Sequence, residues 1–73
     1  LNFNQQRALM IVLQHLGMAF DSDYDSSVIE RGPIIIVTVL DMRDNDPGDA
    51  VRVITAMVNL ENEHVTILGK KEL

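Results

Sequence analysis

The sequence predicts a small α+β domain built as a two-layer sandwich, a helix laid on a sheet, and three observations predict it. Apolar residues near the N-terminus recur at helical spacing, Ile34 to Leu40 form an unbroken apolar strand signal, and shorter β-branched runs flank that strand behind turn residues. The expected element order is α-β-β-α-β, with α-β-β-β-β as the alternative, in one domain covering residues 1–73.

Each element has its own warrant. Asn4 is a candidate N-cap for a helix in which Ala8, Leu9, Val12, Leu13 and Leu16 share one stripe, with Gln5, Gln6, Arg7 and Gln14 elsewhere; Gly17 is one candidate stop, and continuation to about Phe20 is the other. Asp21 to Ser27 lacks apolar periodicity and reads as loop. Val28-Ile29-Glu30 reads as a short strand, and Arg31-Gly32-Pro33 as the turn into the long strand Ile34 to Asp41. Ala50 to Leu60 fits two periods. Asp46 as cap, Pro47 at the first helical position and the stripe Ala50, Val53, Ile54, Met57 and Leu60 favour a helix, whereas Val51, Val53, Ile54, Thr55 and Val58 are β-branched and suit a strand. The helix is the expected outcome. After a loop at Glu61-Asn62-Glu63, Val65 to Leu68 forms the last strand.

The long strand is apolar on both sides. Alternation puts Ile34, Ile36, Thr38 and Leu40 on one face and Ile35, Val37 and Val39 on the other. Two helices at most cover one side of so small a sheet, so the other side meets water or a second layer. Ile35, Val37 and Val39 are the expected sheet interface, packed against a second copy or a protein partner. Length supports this: a chain of 73 residues is near the size at which one core only just outweighs chain entropy, and with no cysteine neither a disulfide nor a zinc-type site supplements it. A homodimer is the expected supplement.

Six basic and eleven acidic residues give a net charge of -5, which repels nucleic acid, and three scattered aromatics, Phe3, Phe20 and Tyr24, build no base-stacking platform. No run of about 18 apolar residues is present, so membrane spanning is not expected. No basic, hydrophobic leader opens the chain, and a cytoplasmic protein is the default expectation.

All seven aspartates fall into two clusters, Asp21, Asp23 and Asp25, then Asp41, Asp44, Asp46 and Asp49. Chain direction brings both to one pole, because the first cluster precedes the upward short strand and the second follows the descending long one; Glu30, Glu61 and Glu63 fall near the other pole. Three chemistries compete there. Turn and cap bonding favours aspartate in loops. A broad acidic face docks a basic protein partner. Asp21-x-Asp23-x-Asp25 has the opening spacing of a calcium loop, but Ser26 replaces the turn glycine and Gly32 stands where the bidentate glutamate belongs.

Catalytic patterns are not met. Met18 to Asp23 resembles the strand and Asp-x-Asp of haloacid-dehalogenase-type phosphatases, yet Asp25 stands in the place of a threonine or valine and the chain is too short for their core. His15 and His64 with Ser22, Ser26 and Ser27 have no nucleophile-elbow spacing, and the glycines form no phosphate loop. No catalytic residue and no cofactor are expected.

Val37-Thr38-Val39-Leu40-Asp41, Asp46-Pro47-Gly48, Val53-Ile54-Thr55-Ala56-Met57 and Val65-Thr66-Ile67-Leu68 together resemble the first half of an ACT-type regulatory domain, over residues 37–68. The resemblance implies a strand, an acidic Pro-Gly turn, a helix and a second strand, with small effectors such as amino acids bound at a dimer interface beside Asp46, Pro47, Gly48 and Asp49. The loop from Asp41 to Asp46 is longer and more acidic than that pattern, and no second helix and further strands follow.

The function expected from the sequence is a small acidic, non-catalytic interaction module, a regulator, inhibitor or adaptor that docks through its sheet, its aspartate pole or both. An ACT-like ligand sensor and a calcium- or magnesium-binding module are the alternatives.

Overall fold

The structure, a computed structural model, describes residues 2–18, 24–42 and 52–72. One helix, α1 (Phe3–His15), precedes four strands, β1 (Tyr24–Arg31), β2 (Ile34–Asp41), β3 (Arg52–Asn59) and β4 (His64–Glu72). The strands form one antiparallel sheet in the order β1-β2-β3-β4, a meander with every neighbour consecutive in sequence. The helix packs against all four strands on one side.

Helix α1 is specified at both ends. The cap is Asn2 rather than the expected Asn4: the Asn2 side chain accepts from the Gln5 N–H at 2.8 Å, and the Gln5 side chain accepts from the Asn2 N–H at 2.9 Å. This reciprocal capping box satisfies two of the orphan amide donors at the start. At the other end Gly17 turns left-handed at φ 72, which lets the Met18 N–H reach the Leu13 carbonyl and the Gly17 N–H the Gln14 carbonyl. That paired closure is the Schellman motif, and a residue with Cβ is strained there. Between the caps Ala8, Leu9, Val12 and Leu13 are buried as the periodicity expects, with Leu16 packed beside them.

The expected helix over Ala50 to Leu60 is corrected: residues 52–59 are the strand β3. Burial there alternates, with Ile54, Ala56 and Val58 fully buried. The helical stripe is split by this, since Ile54 turns toward α1 while Val53 and Met57 turn away. The reason is tertiary. The free edge of β2 offers eight residues of unpaired backbone, and Ile54, Ala56 and Val58 fall opposite Val39, Val37 and Ile35, extending the covered apolar face by a second column. Asp46 and Pro47, the cap and first-turn signals for the helix, lie outside the described residues.

Strands β1 and β4 are also longer than their apolar runs. Tyr24 to Ser27, expected as loop, pair with Thr38 to Asp41, so the ladder of β2 recruits a polar segment that has no strand signal of its own. In β4, Ile67 pairs with Ala56 and Gly69 with Thr55, which leaves Leu68 as the extra residue of a bulge. Two tight turns close the hairpins at one end of the sheet. Gly32 at φ 61 followed by Pro33 suits a two-residue turn with a positive first φ, and the Leu60 N–H donates to the Pro33 carbonyl at 3.0 Å, tying both turns together.

Candidate functional site

Strand alternation sorts the sheet into a covered and an uncovered face. Ile35, Val37 and Val39 are 0% exposed beneath α1, packed with Ala8, Leu9, Val12, Leu13, Ala56 and Val58. These three were the expected sheet interface, and the structure corrects that assignment: they are the core, because their face of β2 and β3 carries an unbroken apolar block of Ile35, Val37, Val39, Ile54, Ala56 and Val58, whereas the other face is interrupted by Thr38 and Thr55. The interchanged set, Ile34, Ile36, Thr38 and Leu40, points to the helix-free side and is only half-buried.

The register builds the helix-free face in four rows. From the loop end inward they are Asp25, Leu40, Val53 and Lys71; then Ser27, Thr38, Thr55 and Gly69; then Ile29, Ile36, Met57 and Thr66; then Arg31, Ile34, Asn59 and His64. The third row is apolar across three strands and ends in Ile29, which is 49% exposed on the edge strand. Among the described residues no element packs over this face: every partly buried hydrophobic that joins the core cluster lies on the helix or on the helix side of the sheet and its turns. An apolar centre with charges only at the corners is the composition of an interface core and rim.

The aspartate pole is described only at Asp25 and Asp41; Asp21, Asp23, Asp44, Asp46 and Asp49 lie outside the described residues. The two described aspartates sit at the same sheet end, in adjacent positions of β1 and β2. They play different parts. Asp25 is exposed, whereas Asp41 is 8% exposed and accepts two hydrogen bonds from its cross-strand neighbour Arg52, Nε at 2.9 Å and Nη2 at 2.6 Å on the same Oδ2. Asp41 is thereby part of the fold, neutralised at the base of the connection between β2 and β3. Lys70 and Lys71, at the end of β4, stand in register with Ile54 and Val53 and so bring positive charge to that same end. The pole is therefore of mixed sign among the described residues. Glu30, Glu61 and Glu63 lie at the opposite end as expected, with Glu30 accepting from the Asn2 side chain at 2.9 Å and Glu63 paired to Arg7 at 2.7 Å.

Two further features escaped the sequence reading. The outward side of α1 borders a groove of about 530 Å³ lined by Phe3, Arg7, Met10, Gln14 and Met18, with Phe3 78% and Met10 56% exposed. The seven-residue spacing of Phe3 and Met10 is the signal that could have shown them, since it places both opposite the Leu9–Val12 stripe. His15, exposed in the last helical turn, borders a shallow hollow of about 300 Å³ with Gln14, Glu63 and Val65. Among the described residues no three His, Asp or Glu side chains converge as a metal site, and no helix is long and apolar enough to cross a membrane.

No family model, curated protein or solved structure matches this chain. The segment Val53 to Met57, helical in the ACT-type resemblance, lies in β3, and the Asp46 to Asp49 turn lies outside the described residues.

Proposed function

We propose that the chain is a non-catalytic protein-interaction module that works through the helix-free face of its sheet. The observation that carries this reading is the apolar row Ile29–Ile36–Met57, presented on a face that no described element packs over. A sheet in a two-layer fold commonly alternates apolar inside and polar outside. Here both sets of β2 are apolar, and the outward set is matched by Val53 and Met57 on β3. Removing several such side chains from water is worth on the order of 1.5–3 kcal/mol each, a large share of the stability of a domain this small.

The test is surface chemistry on the whole chain. At micromolar concentration the protein is expected either to run above its 8.2 kDa monomer mass or to bind a fluorescent apolar dye, and Ile36→Lys is expected to abolish whichever is seen. A monomer with no dye binding removes the reading, because the face is then satisfied within the chain itself.

A further inference from the structure

Resting on that reading of the helix-free face, we infer that its occupant is a second copy of this chain, packed face to face about a two-fold axis parallel to the strands. The charges at the corners carry the inference. In the row nearest the loop end, Asp25 stands on one edge strand and Lys71 on the other, with Leu40 and Val53 between them. A two-fold axis along the strand direction keeps that row opposite itself and exchanges its edges. Asp25 of each copy then meets Lys71 of the other, two ion pairs from one residue pair, as isologous contacts require.

The same operation matches the apolar row with itself. Ile36 crosses to Met57, and Ile29 to Thr66 at the edge beside the bulged, 54% exposed Leu68; the threonines Thr38 and Thr55 meet one another. The alternative in-plane axis, perpendicular to the strands, lays the apolar row on the threonine row and pairs Asp25 with Arg31. It therefore buries hydroxyls against Ile36 and Met57, and is the poorer match. At the end with the tight turns the preferred axis sets Arg31 opposite His64, which adds no ion pair.

Area agrees with a modest, specific contact. Four strands spaced about 4.8 Å apart, each eight or nine residues long, present roughly 500 Å² per face, so two faces reach about the 1,000 Å² at which specific interfaces begin. The dimer is accordingly expected to have a dissociation constant in the micromolar range.

Sedimentation equilibrium of the whole chain, alone and with charge-exchanged variants, tests both the partner and the axis. Asp25→Lys and Lys71→Asp are each expected to weaken the dimer about tenfold, and the double exchange to restore it to within about twofold. Both residues are exposed, so the variants keep the core, which a circular dichroism melt verifies. Restoration by Asp25→Lys with Arg31→Asp instead overturns the proposed axis in favour of the perpendicular one. A dimer indifferent to all these exchanges and to Ile36→Lys overturns the face. A monomer at about 100 µM that still binds an apolar dye, lost in Ile36→Lys, overturns the second copy while leaving the interaction face for another protein; a monomer without dye binding overturns both.

Discussion

Asp41 shows how the surroundings of one residue decide its role. As a member of an aspartate-rich stretch it is expected on an acidic docking pole, yet the antiparallel register puts it directly opposite Arg52, and the pair is largely buried, at 11% and 18% side-chain exposure. Neither charge is stable there alone. Asp41→Leu leaves the guanidinium half-desolvated and unpaired, and is expected to cost about 2–3 kcal/mol, discounted from the fully buried case because Arg52 keeps some water. Replacing both, Asp41→Leu with Arg52→Met, is expected to recover most of that loss, since no buried charge remains. Urea unfolding of the three variants checks it: a double variant as unstable as the single one would show that the charges are not the cause. This pairing was not legible in the sequence because it depends on the hairpin register across a connection outside the described residues. Asp25, by contrast, was legible, as an exposed aspartate near that end. At the turns the reverse holds, for Gly32 at φ 61 and Gly17 at φ 72 stand where the turn and helix stop were expected. Gly32→Ala has open space for its Cβ, so its expected cost of about 1–2 kcal/mol is conformational alone.

At the level of elements, α1 and β2 were readable because each carries its own period, and the local signal agrees with the packing that follows. β3 was not, because Val53, Ile54, Met57 and Leu60 satisfy a helical stripe while Ile54, Ala56 and Val58 satisfy strand alternation. Sequence periodicity weighs these two equally; the backbone edge of β2 does not, since only a strand can pair with it. The first half of β1, Tyr24 to Ser27, and the last four residues of β4, Gly69 to Glu72, were missed for a related reason, being segments of weak strand signal held by their neighbours' ladders. The two assignments for β3 agree at Thr55 and differ at the adjacent Ala56. In the strand Ala56 is fully buried under α1 and Thr55 faces outward, whereas in the helix Ala50, Val53, Ile54 and Met57 would be inside and both Thr55 and Ala56 outside. Ala56→Lys is therefore expected to abolish cooperative folding, because it puts an unpaired ammonium into the core, whereas Thr55→Lys, on the outer face, is expected to keep a cooperative unfolding transition. Equal tolerance of both, measured by thermal melts, would contradict the strand.

For the whole molecule the balance of surfaces sets the behaviour. Among the described residues one helix covers one face of a four-stranded sheet, and the other face presents Ile29, Ile36, Leu40, Val53 and Met57. The sequence shows that β2 is largely apolar on both sides but assigned Ile35, Val37 and Val39 to the outer side; alternation alone gives two equivalent sets, and the choice falls to the neighbours that β2 acquires. A dimer through the outer set couples folding to association, so stability must follow concentration by mass action. Each tenfold rise in concentration contributes about 1.4 kcal/mol per dimer, and with an unfolding entropy of about 2.1 cal/mol/K per residue over two chains of 73 residues, the midpoint is expected to rise by about 4–5 °C. Ile36→Lys removes that slope by separating the copies, at the cost of the stability the contact supplied. A midpoint constant between about 5 and 500 µM would mean that the chain folds as an independent monomer, its outer face carrying no part of its own stability.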